Sequence, residues 1–441
     1  MIKLIKLNKP RKLNKLRKFT AIFIFLLLIM LVMLALTACS SNDETDIRSA
    51  ETEPGTTTGA QAVEDVPTPQ TGNGGRNVNA NENGNGTENG NGNAENCGSH
   101  DNGGYENCED YYINGEPPPQ RFFCFLTGLE TTRQQQLRRP VSIIINNDRL
   151  AQPTVGVGAA DIIYETLIEG GVTRLMLVLA DYENVPVFGS VRSARDYMVD
   201  LSQTHDAIFV HAGGTTMAYT ELNTRGIDRI DGVNAVGNMR FDETFYRDAQ
   251  RRRTMVLEHT LMTTGAGIAA GIQRAGYRTT LAYDFTGSFR FHRQFQPLPA
   301  NNNIAHYVAV PFAANTVREF IYNPENGLYY RRQFGTAHID GATGEQLRFE
   351  NIIVMFAEYT NLRMAGNYLA CRLTGTGFGF YISGGRHITI RWRKDTRDGP
   401  LYFFHLDGSE LYLNPGRTFI CVTSTAFNHS VVINADLKDI G

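Results

Sequence analysis

The fold is set by one strand-forming stretch, Thr173-Arg-Leu-Met-Leu-Val-Leu-Ala180. It is almost continuously apolar, which is the composition of a strand that is covered on both faces. Apolar runs of the same kind precede it at 141–145 and 160–165, and another follows at 207–211. Because such runs are rich in β-branched residues and end in turn-forming residues, we predict one sheet that contains these four strands.

Helix patterns alternate with these strands. Ser193 is in position to cap the first predicted helix, and Gly276 is in position to end the last. Alternating strands and helices favour an α/β module with a mixed, partly parallel sheet, which we place at 138–284. The predicted helices cover residues 193–203, 215–222 and 258–275.

The pattern changes after about residue 284. Short aromatic and β-branched runs recur, and Asn323-Pro-Glu-Asn-Gly327 and Ser383-Gly-Gly385 are hairpin signals between them. This spacing predicts a mostly antiparallel β module at 300–425. The predicted fold class is therefore α+β, with two modules that are separate in sequence and able to pack together.

The N-terminus has the features of a secretory signal. A basic stretch, an apolar run over 19–36 and Leu36-Thr-Ala-Cys39 follow one another, and the last four residues resemble a bacterial lipobox. The resemblance implies a lipoprotein signal peptide at 1–38, lipidation of Cys39 (diacylglyceryl transfer, with palmitate among the expected acyl chains) and a lipid anchor on the extracytoplasmic face of the cell membrane. The alternative is an uncleaved transmembrane anchor, because the apolar run is just long enough to span.

Residues 39–120 combine the anchor with a linker. Gly, Asn, Thr and Glu dominate this segment, so it cannot bury enough apolar surface to offset the entropy of ordering the chain. We predict a disordered tether with an r.m.s. end-to-end distance of roughly 50 Å. Such a tether lets the folded part reach a target above the membrane.

The net charge limits the classes of partner that the protein can be expected to bind. The whole chain has a net charge of −3, and loss of the basic signal leaves about −11 on the mature part. This acidity argues against nucleic acid as a partner and against electrostatic docking on anionic lipid.

Cys371 and Cys421 are a candidate disulfide, whereas the connectivity among Cys97, Cys108, Cys124, Cys371 and Cys421 stays open.

Several short strings together resemble one family, the YerB-like bacterial lipoproteins with a two-part domain of unknown function (DUF3048 N- and C-terminal). The resemblance implies an address in the cell envelope and a two-module architecture, and it brings no established activity. Many members of that family carry Pro-His-Asn-Leu after the Tyr-Arg-Asp motif, whereas this stretch reads Thr254-Met-Val-Leu-Glu-His259, so only His259 could stand in for the motif histidine. The strings are Asn146-Asn147, Ala160-Asp-Ile-Ile-Tyr-Glu165, Glu169-Gly-Gly-Val-Thr-Arg174, Gly189-Ser-Val-Arg-Ser-Ala-Arg195, His211-Ala-Gly-Gly214, Phe245-Tyr-Arg-Asp248 and Glu258-His-Thr260.

Two arginines near a predicted helix start indicate an anion site. Arg192 and Arg195 are three residues apart, and Arg binds carboxylate or phosphate through two hydrogen bonds. The structural alternative is that they form ion pairs with Glu165 or Glu169. The candidate ligand-binding residues are Asn146, Arg174, Arg192, Ser193, Arg195, His211, Gly213, Gly214, Tyr246, Arg247 and His259.

A catalytic alternative uses the same part of the chain. Glu165 and Glu169 could form an acid–base pair of the glycosidase kind, and His211 at a strand end could act as a general base. Their structural alternatives are an ion-pair partner, a loop residue and a core histidine. The spacing of His and Cys fits no metal motif, so we expect no metal and no cofactor.

Three functions therefore remain open. The protein could bind an anionic glycan or peptide of the cell wall, possible examples being peptidoglycan or another envelope polymer. It could be a wall-acting hydrolase that uses Glu165, Glu169 or His211. It could be a scaffold for other envelope proteins. The sequence does not decide whether it is an enzyme, and it gives neither the ligand nor the oligomeric state.

Overall fold

The computed structural model describes residues 120–301, 303–363 and 366–434. The predicted signal peptide, the lipidation site Cys39, most of the tether, Cys97 and Cys108 lie outside these residues. The predicted α+β class is confirmed: a mixed sheet carries helices on one side and an antiparallel sheet on the other.

The first part of the described chain contains the helices. They are α1 (Arg133–Gln136), α2 (Asp196–Gln203), α3 (Thr216–Thr224), α4 (Arg251–Thr254) and α5 (Gly265–Ala275). The strands of this part are β1 (Phe122–Phe123), β2 (Glu130–Thr131), β3 (Val141–Asn146), β4 (Ile162–Leu167), β5 (Thr173–Leu179), β6 (Phe188–Gly189), β7 (Ile208–His211), β8 (Arg229–Asp231), β9 (Phe245–Arg247), β10 (Leu261–Thr263) and β11 (Arg290–Phe291).

The second part is built from strands. They are β12 (Tyr307–Ala313), β13 (Thr316–Asn323), β14 (Leu328–Gln333), β15 (Thr336–Ala337), β16 (Arg348–Phe349), β17 (Asn351–Asn361), β18 (Leu369–Arg372), β19 (Gly375–Ser383), β20 (Arg386–Lys394), β21 (Tyr402–Phe404), β22 (Tyr412–Leu413), β23 (Thr418–Ser424) and β24 (Val432–Asn434).

Strands from both parts form one large sheet. Its order is β21-β20-β19-β17-β23-β4-β5-β3-β7-β8, and β18 pairs with β17. The two halves meet where β23 pairs in parallel with β4, with Thr418 opposite Ile162. The module boundaries 138–284 and 300–425 stay predictions, but the structure joins the two regions by backbone hydrogen bonds and not only by side-chain packing.

The large sheet is the middle layer of three. On one face it is covered by α5 and by the second sheet, β15-β14-β13-β12-β24, in which β16 also pairs with β14. On the other face it is covered by α2 and α3. The buried members of both hydrophobic clusters lie between Leu126 and Val422, so the described part carries its own core, which is the condition for independent folding. Among the described residues, no helix is long and apolar enough to cross a membrane.

The strand predictions are confirmed where the apolar pattern was strongest. Every residue of β5 is buried, as a strand covered on both faces requires. Both hairpin signals are also confirmed, since 324–327 connects β13 to β14 and 384–385 connects β19 to β20. Parallel pairs occur between β3 and β7 and between β17 and β23, as the mixed-sheet prediction required.

Two helix starts were wrong. The first helix begins at Asp196, not Ser193, because residues 191–194 bridge to Ile145 and Gly214 as an extended segment. Ser193 therefore does not cap it, and no side chain does. The last helix begins at Gly265, not 258, because β10 occupies the preceding residues, although Gly276 ends it in the left-handed conformation as predicted.

The candidate disulfide was also wrong. Cys371 and Cys421 are both free thiols in the structure. Cys421 belongs to the cluster beneath the second sheet, whereas Cys371 belongs to the cluster beneath α2 and α3. Since the large sheet lies between these clusters, the two sulfur atoms cannot approach within bonding distance.

Candidate anion-binding site

The candidate residues gather at one edge of the large sheet. There β3 ends and the antiparallel strand β5 begins, so Asn146 lies directly opposite Arg174. The extended segment 191–194 inserts beside them, with Arg192 N donating to Ile144 O at 2.9 Å and Ala212 N donating to Arg192 O at 3.0 Å. Side chains alternate along a strand, so Thr173 and Arg174 point to opposite faces of the sheet.

The first of these faces carries a compensated ion cluster, which we call the Glu165 cluster. Glu165 is fully buried and accepts from Arg318 Nε and Arg331 Nη2, each at 2.6 Å. Thr173 Oγ1 and Asn147 Nδ2 donate to the same carboxylate at 2.6 and 2.9 Å. The full Glu165 cluster is Asn147, Glu165, Thr173, Arg318, Arg331 and His338.

The electrostatics of the Glu165 cluster are those of a structural network. Burial opposes the ionisation of Glu165, but Arg318 and Arg331 outweigh it and hold the pKa of this carboxyl below its usual value. Burial and the same two arginines lower the pKa of His338 far enough to keep it neutral. Its Nδ1 accepts from Arg331, and its Nε2 is therefore the donor to Thr154 Oγ1 at 2.7 Å. The cluster thus joins the two sheets.

The opposite face carries a second group of arginines, which we call the Arg174 cluster. Arg174 is 5% exposed, and its hydrogen-bond partners are neutral: Nη1 donates to Asn146 Oδ1 at 3.1 Å and to Thr173 O at 3.4 Å. Its Nε is buried without a partner among the described residues. The full Arg174 cluster is Asn146, Arg174, Arg192, Arg247 and His259.

The charges around Arg174 do not neutralise it. Burial, followed by the repulsion of Arg192 and Arg195, lowers the pKa of Arg174 to about 9, and the charge of Asp148 offsets this only in part. Arg192 forms an ion pair with Glu258, Nη2 to Oε2 at 3.0 Å, but Glu258 is largely exposed. Arg247 donates to the carbonyl oxygen of Leu257 and has no ion pair within the described residues. The site therefore holds excess positive charge.

A neutral histidine completes the Arg174 cluster. Asn146 Oδ1 accepts from Arg174, so its Nδ2 is the donor to His259 Nδ1 at 2.8 Å. Burial and Arg192 lower the pKa of His259, which favours the neutral ring with its proton on Nε2. This leaves the Nε2 proton as a donor to a ligand.

Arg195 and Glu169 form an ion pair with each other, which is the structural alternative to a ligand site. Arg195 Nε donates to both carboxylate oxygens of Glu169 at 3.0 Å, and Glu169 also accepts from Leu369 N at 3.3 Å. Glu169 begins a short turn after β4, whereas Glu165 lies within β4. The two carboxylates thus pair with different arginines and do not face a common site.

His211, Gly213 and Gly214 follow at the end of β7. His211 is fully buried, and its Nδ1 donates to Gly213 O at 2.8 Å, whereas Nε2 has no partner among the described residues. Gly213 N and the Tyr219 hydroxyl both donate to Asp231, at 3.0 and 2.6 Å. The charged groups that act on the pKa of His211 are Asp231 and Arg229, so its contacts do not join the Arg174 cluster.

The structure thus brings together only part of the predicted set. Asn146, Arg174, Arg192, Arg247 and His259 share one cluster, and Arg195 lies beside it. Tyr246 is exposed on β9, next to Arg247. Ser193 lies in the extended segment 191–194, just before Arg195. A cavity of about 290 Å³ lies elsewhere, lined by residues that include Thr204, Asp206 and Asp284.

Some residues of the site were not predicted, because they compensate charge from positions far along the chain. Arg318 and Arg331 were not predicted as partners of Glu165, although each is a charged residue at an inward position of a strand with alternating burial. Two further partners were not predicted. Asp231 accepts from the loop at Gly213, and Glu258 accepts from Arg192.

Comparison with known proteins agrees with this architecture. A family model described as the N-terminal domain of the protein of unknown function DUF3048 matches residues 126–278, and one for its C-terminal domain matches 308–420. YerB of Bacillus subtilis (strain 168), provisionally named a lipoprotein, is 29% identical over 299 residues, which is 67% of this chain and 84% of YerB. The crystal structure of YerB superposes with a TM-score of 0.60 at 26% identity, covering 71% of this chain and 99% of that one. The chain therefore belongs to the DUF3048 family, with both halves of the family's two-part domain present.

Proposed function

We propose that this protein is a lipid-anchored lipoprotein of the bacterial cell envelope that binds an anionic glycan or peptide of the wall. The name of its relative YerB supports the lipoprotein assignment. Lipidation at Cys39 and the extracytoplasmic location follow from the lipobox and the signal features of the N-terminus.

One observation carries the binding proposal: Arg174 is buried without a carboxylate partner. A buried charge is costly unless it is paired, and the Glu165 cluster shows the usual solution in this same fold. The Arg174 site lacks that solution, and its electrostatic neighbours are the arginine Arg192 and the His259 donor, with Arg247 beyond Arg192. An anionic ligand supplies the missing charge, and carboxylate or phosphate both suit the guanidinium donors.

A hydrolase is less well supported than a binding protein. The predicted acid–base pair needs two carboxylates in one cleft, yet Glu165 is enclosed by Arg318 and Arg331, and Glu169 is engaged by Arg195. Each arginine also favours the ionised form of its carboxyl, which opposes a role as general acid. His211 is buried and bonded to the adjacent backbone.

The test uses a fragment that begins at residue 120, which contains the complete core, and purified peptidoglycan. We expect the fragment to be retained without release of soluble muropeptides. Arg174→Gln should weaken retention by about 10- to 100-fold, the range for loss of charged hydrogen bonds, and Arg174→Lys should recover part of it. Arg391→Ser, which removes an exposed arginine from β20, is the matched control.

Each other outcome assigns another function. Release of muropeptides would make the protein a hydrolase. Retention that is equal in Arg174→Gln and wild type would place the ligand site elsewhere. No retention would leave the scaffold role, which is then tested by cross-linking to neighbouring envelope proteins.

A further inference from the structure

An exposed surface adjoins the Arg174 cluster, and we call it the rim. It consists of two segments, 149–153 and 246–258. Arg251 ties them together, because its Nη1 donates to Ala151 O at 3.0 Å and to His259 O at 3.4 Å. Arg247 belongs to both the rim and the Arg174 cluster, because it donates to Leu257 O and lies within the electrostatic influence of Arg192.

Large apolar side chains of the rim project into solvent. Leu150 is 74% exposed, Val256 is 60% exposed and Leu257 is 57% exposed. Tyr246 is exposed on the adjoining strand. Single exposed apolar residues are ordinary, but several on two segments that are tied together mark an interaction surface.

Unpaired positive charge accompanies these apolar side chains. Arg149, Arg247, Arg252 and Arg253 are exposed, and the described residues give none of them an ion pair. The two rim segments contain five arginines against only two carboxylates, Asp248 and Glu258, and Glu258 pairs with Arg192. The rim is therefore locally basic, although the mature chain is acidic overall.

We propose that the rim docks on an anionic lipid bilayer. Aliphatic side chains that project from a basic surface suit the boundary between acyl chains and headgroups, while the arginines meet headgroup phosphates. A soluble polyanion would use the arginines but would leave Leu150, Val256 and Leu257 in water. The proposal rests on the proposed function in one respect: with the rim on the bilayer, the anion at Arg174 belongs to a membrane-borne wall component.

Flotation with vesicles tests the docking surface. The fragment that begins at residue 120 has no lipid of its own, so its binding reports the folded part alone. We expect it to float with vesicles of phosphatidylcholine and phosphatidylglycerol, less so at high salt, and not with phosphatidylcholine alone. Arg252→Ser combined with Arg253→Ser should weaken binding about 25-fold, at about fivefold for each basic side chain near the surface.

A second variant separates lipid from a soluble polyanion. Val256→Ser combined with Leu257→Ser leaves all charges in place and should weaken vesicle binding by about tenfold or more. The matched control is Phe378→Ser combined with Arg391→Ser, an exposed aromatic–arginine pair on β19 and β20. It should bind vesicles like the wild type, and thermal unfolding should show that every variant is folded.

The outcomes distinguish this proposal from the proposed function. Failure to float with anionic vesicles, or equal losses in the rim and control variants, overturns the docking surface. Binding to soluble polyglutamate that is as strong as vesicle binding and indifferent to Val256 and Leu257 also overturns it. If wall binding through Arg174 persists while vesicle binding is absent, only this inference fails. If vesicle binding is present while Arg174→Gln leaves wall binding unchanged, the docking surface stands and only the assignment of the wall ligand to Arg174 fails.

Discussion

The Glu165 cluster and the Arg174 cluster place buried arginines on opposite faces of the same strand. Thr173 and Asn147 belong to the Glu165 cluster. Their chain neighbours Arg174 and Asn146 belong to the Arg174 cluster. In the Glu165 cluster two arginines share one buried carboxylate. In the Arg174 cluster the buried guanidinium has only neutral partners.

This difference separates a structural role from a binding role. A compensated cluster has its charges satisfied within the fold and connects the elements that supply them. A cluster with excess positive charge is neutralised only when an anionic ligand binds to it. Burial of arginine alone does not indicate function; the charge of the partner does.

The largest effect is expected from breaking the compensated cluster. Glu165→Gln leaves Arg318 and Arg331 buried without a counterion, so the free energy of unfolding should fall by about 3–5 kcal/mol. Urea denaturation of the fragment from residue 120 measures it. Arg174→Met, which removes a buried arginine that has no carboxylate partner, should change stability by less than about 1 kcal/mol. Similar losses in both variants would end the distinction between the two clusters.

The next effect is expected when low pH protonates the Glu165 carboxyl in the folded protein. The folded-state pKa of Glu165 is depressed, so its contribution is fully present above the unfolded value of about 4.3 and is lost as pH falls through the folded pKa. We expect wild type to lose stability below about pH 4 more steeply than Glu165→Gln does.

Urea midpoints measured across this acidic range provide the comparison. Arg174→Met should follow the wild-type pH dependence, because it leaves the Glu165 cluster intact. If the curves of wild type and Glu165→Gln run parallel, another carboxyl dominates the acid response of the fold.

The smallest effect is expected at Glu258, the exposed ion-pair partner of Arg192. Glu258 pairs with Arg192 but is largely exposed, so Glu258→Gln should change stability by less than about 1 kcal/mol. Because this carboxylate competes with an anionic ligand for Arg192, its removal should strengthen ligand binding about two- to fivefold. Retention on peptidoglycan at graded salt measures this change, and weaker binding would show that Glu258 itself contacts the ligand.

Most strands could be predicted from the chain because their patterns are local. The apolar run of β5 and the turn residues of the two hairpins each require only neighbouring residues, and all three were correct. The helix starts failed because residues 191–194 and 261–263 pair with distant strands, which overrides local helix preference.

The candidate site shows the same division. Arg192 could be named from the sequence because two arginines lie near a predicted helix start, and Arg174 and His259 because they belong to strings that resemble the family. The role of Glu165 could not, because its partners Arg318 and Arg331 are 153 and 166 residues further along the chain. The candidate disulfide failed for a related reason: the faces of the sheet on which two cysteines lie depend on the assembled layers.

By itself the sequence determined the fold class, the buried strand 173–180 and the alternation that sends Thr173 and Arg174 to opposite faces, because side-chain direction along a strand is a local property. Only the tertiary structure decided which charges are neutralised. Pairing depends on what the second sheet and the loops bring within hydrogen-bond distance. That is why two adjacent residues of one strand belong to two clusters with different roles.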